Sequence, residues 1–174
     1  MTDNTSIDFS LTPGKFPVLE CAGWHQNSCD DGPGIRSVLF LQGCTMNCPG
    51  CQNKSIRQKG LGTLYSVNEL AREIHKKCKN KRITISGGEP LEQAKSLIHL
   101  LKILRREHFD ICLYTGWELK KVPRDIIENL TYLKTGNFKK KLFNHKIRYV
   151  GSSNQHFYKC DGDTPKEISL IPSI

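Results

Sequence analysis

No stretch of this chain approaches the roughly 20 consecutive apolar residues that a bilayer-spanning helix needs, and residues 1–17 carry none of the apolar core of a secretory signal. Membrane insertion and export are set aside on that ground, and a soluble cytoplasmic protein is the expectation. Aromatic residues are scarce at 8%, and they are not interleaved with the basic runs at 76–82 and 139–141. Stacking of single-stranded nucleic acid needs that interleaving. The surplus of 26 basic over 17 acidic residues is therefore weak ground for a nucleic-acid binder, and an acidic protein partner accounts for it equally well. Internal repeats, low-complexity runs and an interdomain linker are all missing. At 174 residues the chain is too short for a full eight-stranded α/β barrel, which takes about 250, yet long enough for one domain with its own core.

What is there centres on Gly43-Cys44-Thr45-Met46-Asn47-Cys48-Pro49-Gly50-Cys51-Gln52-Asn53, directly after the apolar run Val38-Leu39-Phe40-Leu41. Eight cysteines without a secretory signal point to reduced thiols. Bridging two cysteines inside so short a loop would strain it, so Cys44, Cys48 and Cys51 read as metal ligands. Zinc sites draw four ligands from separated pairs, or three plus water, and four-thiolate clusters commonly show C-x2-C-x2-C spacing. Here the gaps are three and two residues, with no fourth cysteine close by in sequence. A three-thiolate iron–sulfur cluster would leave one iron open to a small molecule; a structural zinc site is the competing reading. The six histidines, His25, His75, His99, His108, His145 and His156, form no cluster with ligand spacing.

Around this loop the pattern alternates strand and helix. Residues 17–22 read as a short edge strand, and Cys29 to Arg36 as a turn set by its Gly and Pro residues. Residues 37–42 make a buried strand. Ser66-Val67-Asn68-Glu69 is a capping box, opening a helix whose stripe is Val67, Leu70, Ile74 and Cys78. Residues 82–86 form a second core strand, ended by Gly87-Gly88-Glu89-Pro90. A helix follows with Ala94, Leu97, Ile98, Leu101 and Leu104 on one face. Residues 110–114 give a third strand, 124–129 a short helix, and 131–134 and 146–150 further strand candidates. Alternation of this kind predicts an α/β fold with a mostly parallel sheet. Its strand-end loops, the cysteine loop, 87–90, 115–117 and 151–155, would meet at one rim.

Four stretches together resemble a known family: Asp31-Gly32-Pro33-Gly34-Ile35-Arg36, the cysteine loop through Ser55, Ile85-Ser86-Gly87-Gly88-Glu89-Pro90-Leu91, and Gly151-Ser152-Ser153-Asn154-Gln155. The chain is similar to glycyl-radical-enzyme activating proteins of the radical S-adenosylmethionine superfamily, and within them to the reductase-directed branch. Tyr114 stands where the pyruvate formate-lyase activators carry an aspartate, a departure that favours that branch. The resemblance implies a single-domain partial, open α/β barrel over residues 18–160, between a loosely ordered arm (1–17) and a tail (161–174). It implies a [4Fe-4S] cluster on Cys44, Cys48 and Cys51, and S-adenosylmethionine held by Gly50, Cys51, Gln52, Gly87, Gly88, Glu89, Thr115 and Asn154. Asp31, Gly32, Pro33 and Gly34 would face the partner, the large subunit of an anaerobic ribonucleotide reductase. A flavodoxin- or ferredoxin-type protein would supply electrons. Two other functions stand beside this one. The same cofactor chemistry could serve a different glycyl-radical enzyme, peptide or small molecule, and a non-enzymatic metal-binding nucleic-acid module is the reading from another class.

Overall fold

The computed structural model describes residues 17–160, 162 and 164–170, so residues 1–16 of the arm lie outside the described residues. One sheet of eight strands organises the chain: β1 (Val18–Ser28), β2 (Arg36–Leu41), β3 (Thr63–Ser66), β4 (Arg82–Gly87), β5 (Asp110–Tyr114), β6 (Tyr132–Thr135), β7 (His156–Cys160) and β8 (Pro165–Glu167). They lie in the order β3-β1-β2-β4-β5-β6-β7-β8. Helices α1 (Val67–Lys77), α2 (Ala94–Arg106) and α3 (Arg124–Ile127) fall between strands. The fold class is therefore α/β, as expected, but the parallel character is confined to the centre. The pairs β2–β4, β4–β5 and β5–β6 are parallel, whereas β3–β1–β2 and β6–β7–β8 are antiparallel. Crossover helices impose parallel pairing, and only the central strands are joined through them.

Alternation across the four central strands separates two faces. Leu39, Leu41, Ile83, Ile85, Ile111, Leu113 and Leu133 share one apolar cluster with Leu70 and Ile74 of α1 and Leu97, Leu100, Leu101 and Leu104 of α2. Side chains one position along must point the other way. Register then lines up Val38, Thr84, Cys112 and Tyr132 as one layer of the opposite face, and Phe40, Ser86, Tyr114 and Lys134 as the next. Burying each aliphatic side chain on the helix side contributes about 1.5–3 kcal/mol. Ser66 caps α1 as the sequence predicts: its hydroxyl accepts from the Glu69 N–H at 3.3 Å while the Glu69 carboxylate accepts from the Ser66 N–H at 3.0 Å.

Arg36 closes the lower end of the second face. It is fully buried, donating to Thr84 Oγ1 (2.9 Å), Pro33 O (3.0 Å), Ile83 O (2.8 Å), and Asp110 O (2.8 Å) and Oδ1 (3.1 Å). Thr84 in turn donates to Asp31 O at 2.5 Å. The Asp31–Gly34 turn is thus pinned onto the face opposite the helices.

Three expectations are corrected. The strand at the N-terminal side runs to Ser28 and is interior, because β3 pairs on its outer side. The stretch 146–150 is turn, not strand: Tyr149 has φ 63°, and β7 already occupies the free side of β6. Part of the presumed tail, Pro165–Glu167, pairs with β7 as an edge strand. A 3-10 turn, Pro90–Gln93, leads into α2. Among the described residues no helix is long and apolar enough to cross a membrane.

Candidate active site

Strand β2 ends at Leu41 and the chain passes through Gly43 (φ 93°) into the cysteine loop. The loop is braced at its base from several directions. Gly43 N–H donates to Ile56 O and Cys44 N–H to Arg57 O, each at 2.9 Å. Glu92, in the turn before α2, accepts from the Thr45 N–H and hydroxyl, both at 2.6 Å, and pairs with Lys59 at 2.7 Å. Gln93 donates to Gln42 O at 3.0 Å. The first two contacts tie the start of the loop to the segment that follows it, and those of Glu92 and Gln93 tie it to the turn that follows β4.

The tightest join is between the ends of β2 and β4. Gly88 N–H donates to Leu41 O and Glu89 N–H to Gly43 O, both at 2.8 Å. A Cβ on Gly87 would lie 2.3 Å from Leu41 O, and one on Gly88 only 2.0 Å from Gly43 O. Both glycines are thus required by backbone packing, quite apart from any ligand. Asn53 locks the far side by donating to Gly87 O at 2.7 Å.

Glu89, only 1% exposed, is the hub of the next loop. Its Oε1 accepts from the Thr115 hydroxyl (2.6 Å) and Leu91 N–H (3.0 Å), and its Oε2 from the Gly116 N–H (2.7 Å). Burial pushes its carboxyl above the usual range, and these donors oppose that shift. Thr115 Oγ1 also accepts from the Trp117 N–H at 3.0 Å. Gly116 leaves room for Met46 of the cysteine loop, whose Sδ would be 2.6 Å from a Cβ there.

These loops enclose a cleft of about 370 Å³. Phe40, Ser86, Tyr114 and Lys134, the upper layer of the face opposite the helices, line it together with Cys44, Cys48, Cys51, Gln52, Gly87, Gly88, Glu89, Thr115 and Asp31. Burial pushes the Cys44 thiol up and the Tyr114 hydroxyl well up. It pushes the Lys134 ammonium down to about 8. Lys134 donates to Gly136 O at 3.3 Å and sits 5.7 Å from the Tyr114 ring centroid.

Most of the residues picked out in the sequence meet here, and some do not. Gly50 (φ 77°) lies beside the cleft, under the side chains of Lys140 and Phe138. Asn154 stands behind it, donating to Asn137 O at 2.9 Å. Its neighbour Gln155 lines the cleft instead, accepting from Gly151 and Ser152 N–H and donating to Gly136 O. Of the Asp31–Gly34 turn only Asp31 reaches the cleft; a Cβ on Gly32 would meet Arg36 and Cys112 at 3.2 and 3.3 Å. Lys134, Tyr149 and Gln155 were missed. The strand alternation that places Leu133 in the core already puts Lys134 on the other face.

The donor set fits an iron–sulfur group. Three free thiols, each partly exposed, line one cavity. Among the described residues no three His, Cys, Asp or Glu side chains are gathered so as to grip a single ion. A multi-iron group takes each thiolate at a different iron, and three thiolates lining one cavity match that donor set.

Residues 30–158 match a family model described as a 4Fe-4S single cluster domain, which sets the class: an iron–sulfur protein with one cluster. Over 136 residues the chain is 30% identical to the anaerobic ribonucleoside-triphosphate reductase-activating protein of Escherichia coli (strain K12), covering 72% of this chain and 88% of that one. The protein of the same name from Enterobacteria phage T4 is 33% identical over 141 residues, covering 75% and 88%. A pyruvate formate-lyase-activating enzyme of Listeria monocytogenes is 36% identical over 91 residues, covering 49% of this chain and 34% of its own. The chain belongs to the family of anaerobic ribonucleoside-triphosphate reductase-activating proteins.

Proposed function

We propose that this chain is a radical S-adenosylmethionine enzyme that installs a glycyl radical on an anaerobic ribonucleoside-triphosphate reductase. The observation that carries the reading is one cleft lined at once by Cys44, Cys48 and Cys51, by the Gly87-Gly88-Glu89 loop and by Thr115. The family match and the names of the relatives support it. In this reading the sheet is the open part of an α/β barrel, and its hollow face receives the reacting groups.

Cys44, Cys48 and Cys51 would hold three irons of a [4Fe-4S] cluster as thiolates, and among the described residues no further thiol lines the cleft for the fourth. Bound there, the cluster and S-adenosylmethionine would supply one-electron cleavage of a carbon–sulfur bond and, through it, hydrogen-atom abstraction from the Cα of a glycine in the reductase. The remaining work belongs to the chain's own side chains. Glu89 fixes the Thr115–Gly116 backbone against the cysteine loop through three hydrogen bonds. Lys134 supplies a cation on the cleft wall for a carboxylate. Asp31, held by a 2.6 Å hydrogen bond from the Ser28 hydroxyl, presents an acceptor to an incoming peptide. Phe40 and Tyr114 keep water from the reacting atoms.

The test is electron paramagnetic resonance after anaerobic mixing of reconstituted protein, S-adenosylmethionine, reductant and the reductase. A glycyl radical signal is expected. Cofactor cleavage without any such signal would remove the reductase as acceptor.

A further inference from the structure

Residues 129–160 contain no aspartate or glutamate, yet carry Lys134, Lys139, Lys140, Lys141, Lys146, Arg148 and Lys159. Much of the net charge of +9 is therefore gathered in one segment. Its middle, 138–149, folds as a flap beside the cleft. The flap is pinned to the following loop: Lys139 N–H donates to Ser152 Oγ (3.2 Å) and Ser153 N–H to Leu142 O (2.8 Å), and Phe143 bridges to Ser152.

On the outer side of this flap Leu142 and Phe143 are 41% and 56% exposed, set among exposed Lys139, Lys141 and Lys146. Among the described residues none of these three lysines forms an ion pair. Solvated lysines alone need no explanation. Two neighbouring apolar side chains about half exposed among those lysines, with Phe143 edge-on to Phe138 at 6.4 Å between ring centroids, do, because apolar patches rimmed by charge mark contact surfaces.

Position decides what kind of contact. The inner edge of the flap rests on the cysteine loop: a Cβ on Gly50 would lie 3.2 Å from the Lys140 stem and 3.5 Å from the Phe138 ring, and Gly50 sits between Cys48 and Cys51. A partner seated on the outer side is thus next to the thiols without entering the cleft. An electron needs closeness and no entry, whereas a peptide glycine has to reach the cleft itself. Small, charge-steered patches are the mark of brief redox encounters.

We propose that the flap carrying Lys139, Lys141, Leu142, Phe143 and Lys146 is the docking surface for an acidic electron-carrier protein. The proposal rests on the function argued above. In the encounter the carrier is oxidised by one electron, the iron–sulfur group is reduced by one, and no bond is made or broken.

The test uses reconstituted protein, a reduced flavodoxin as carrier, and dithionite as a small reductant that needs no docking. The variants are Lys139→Glu combined with Lys141→Glu, and separately Phe143→Ser. For the charge-reversed protein, reduction by flavodoxin at low ionic strength should slow about ten-fold or more, because steering of this kind raises association 10–10³-fold. Reduction by dithionite should not change. In a titration without turnover, oxidised flavodoxin should bind the unaltered protein in a salt-sensitive way and bind both variants more weakly. Equal flavodoxin rates and affinities would overturn the proposal. So would an unchanged rate of reduction by flavodoxin together with lost glycyl radical formation, which would hand the surface to the reductase. Salt-sensitive retention of single-stranded DNA, abolished by charge reversal while flavodoxin rates hold, would hand it to nucleic acid. Absence of cofactor cleavage by the unaltered protein under dithionite would sink the enzyme reading itself, and this inference with it.

Discussion

The backbone N–H of Glu89 donates to the carbonyl oxygen of Gly43 at 2.8 Å, so the residue after the glycine pair is joined to the residue before the first cysteine of the loop. Two loops that are 45 or so residues apart in sequence become one wall of the cleft. The join tolerates no side chain on Gly88, where a Cβ would lie 2.0 Å from that same carbonyl. Gly88→Ala should therefore cost about 3 kcal/mol, at the upper end of overpacking effects, and displace the cysteine loop. Gly23→Ala is the control, since nothing lies within 4 Å of a Cβ there. Urea unfolding and iron content after anaerobic loading check both. The first variant should lose stability and iron together, and the second neither.

Replacing Glu89 with Gln keeps the shape and removes one acceptor. The Thr115 hydroxyl still finds an oxygen, but the Gly116 N–H, now 2.7 Å from an acceptor, would face an amide NH2. A buried donor left unsatisfied costs about 1–3 kcal/mol. Thermal unfolding should fall accordingly, by about 2–4 °C per kcal/mol for a chain of this size. Binding of S-adenosylmethionine by calorimetry should weaken as well, because Thr115 and Gly116 lose their anchor.

Arg36 is a buried cation whose donors satisfy three backbone carbonyls, Thr84 and Asp110. Arg36→Met fills the space but strands those acceptors. Breaking one partner of such a buried set costs about 3–5 kcal/mol. The Asp31–Gly34 turn should loosen, and limited proteolysis should cut it faster than in the unaltered chain while the α1–α2 side stays protected.

Alkaline pH should destabilise the protein. Burial pushes the Cys21 and Cys112 thiols up to about 12 from 9.0, so the folded state keeps protons that the unfolded chain releases. Stability from this source is whole below pH 9 and declines from 9 towards 12, at up to about 1.4 kcal/mol per pH unit for each thiol. Lys134 acts with the opposite sign, being pushed down from 10.5 to about 8, and offsets one proton's worth between those values. Urea midpoints between pH 8 and 11 check the slope, and Cys112→Ala should flatten it.

The central architecture and the cleft's principal loops were legible because their signals are local. A capping box, a glycine pair after a β-branched run and closely spaced thiols each declare themselves within a dozen residues. What escaped depends on distant partners. Strand β3 has two exposed residues, Thr63 and Leu64, and becomes a strand only because β1 offers it an edge. Strand β8 begins with Pro165, a residue confined to edges or strand starts in sheets, and looked like tail. Arg36 gave no hint of its burial, since the carbonyls it satisfies come from Pro33, Ile83 and Asp110. The sequence alone suggests ligand contacts for Gly87 and Gly88, and only the packing of β4 against β2 shows that backbone contact by itself demands both glycines.

The most direct measurement is the iron and sulfide content of anaerobically reconstituted protein, taken with S-adenosylmethionine cleavage under dithionite, for the unaltered chain and for Cys44→Ala, Cys48→Ala and Cys51→Ala. The account predicts about four irons and four sulfides per chain with cleavage, and loss of cleavage in every one of the three variants. A zinc-loaded, colourless protein, or a single-cysteine variant that still cleaves the cofactor, would contradict it.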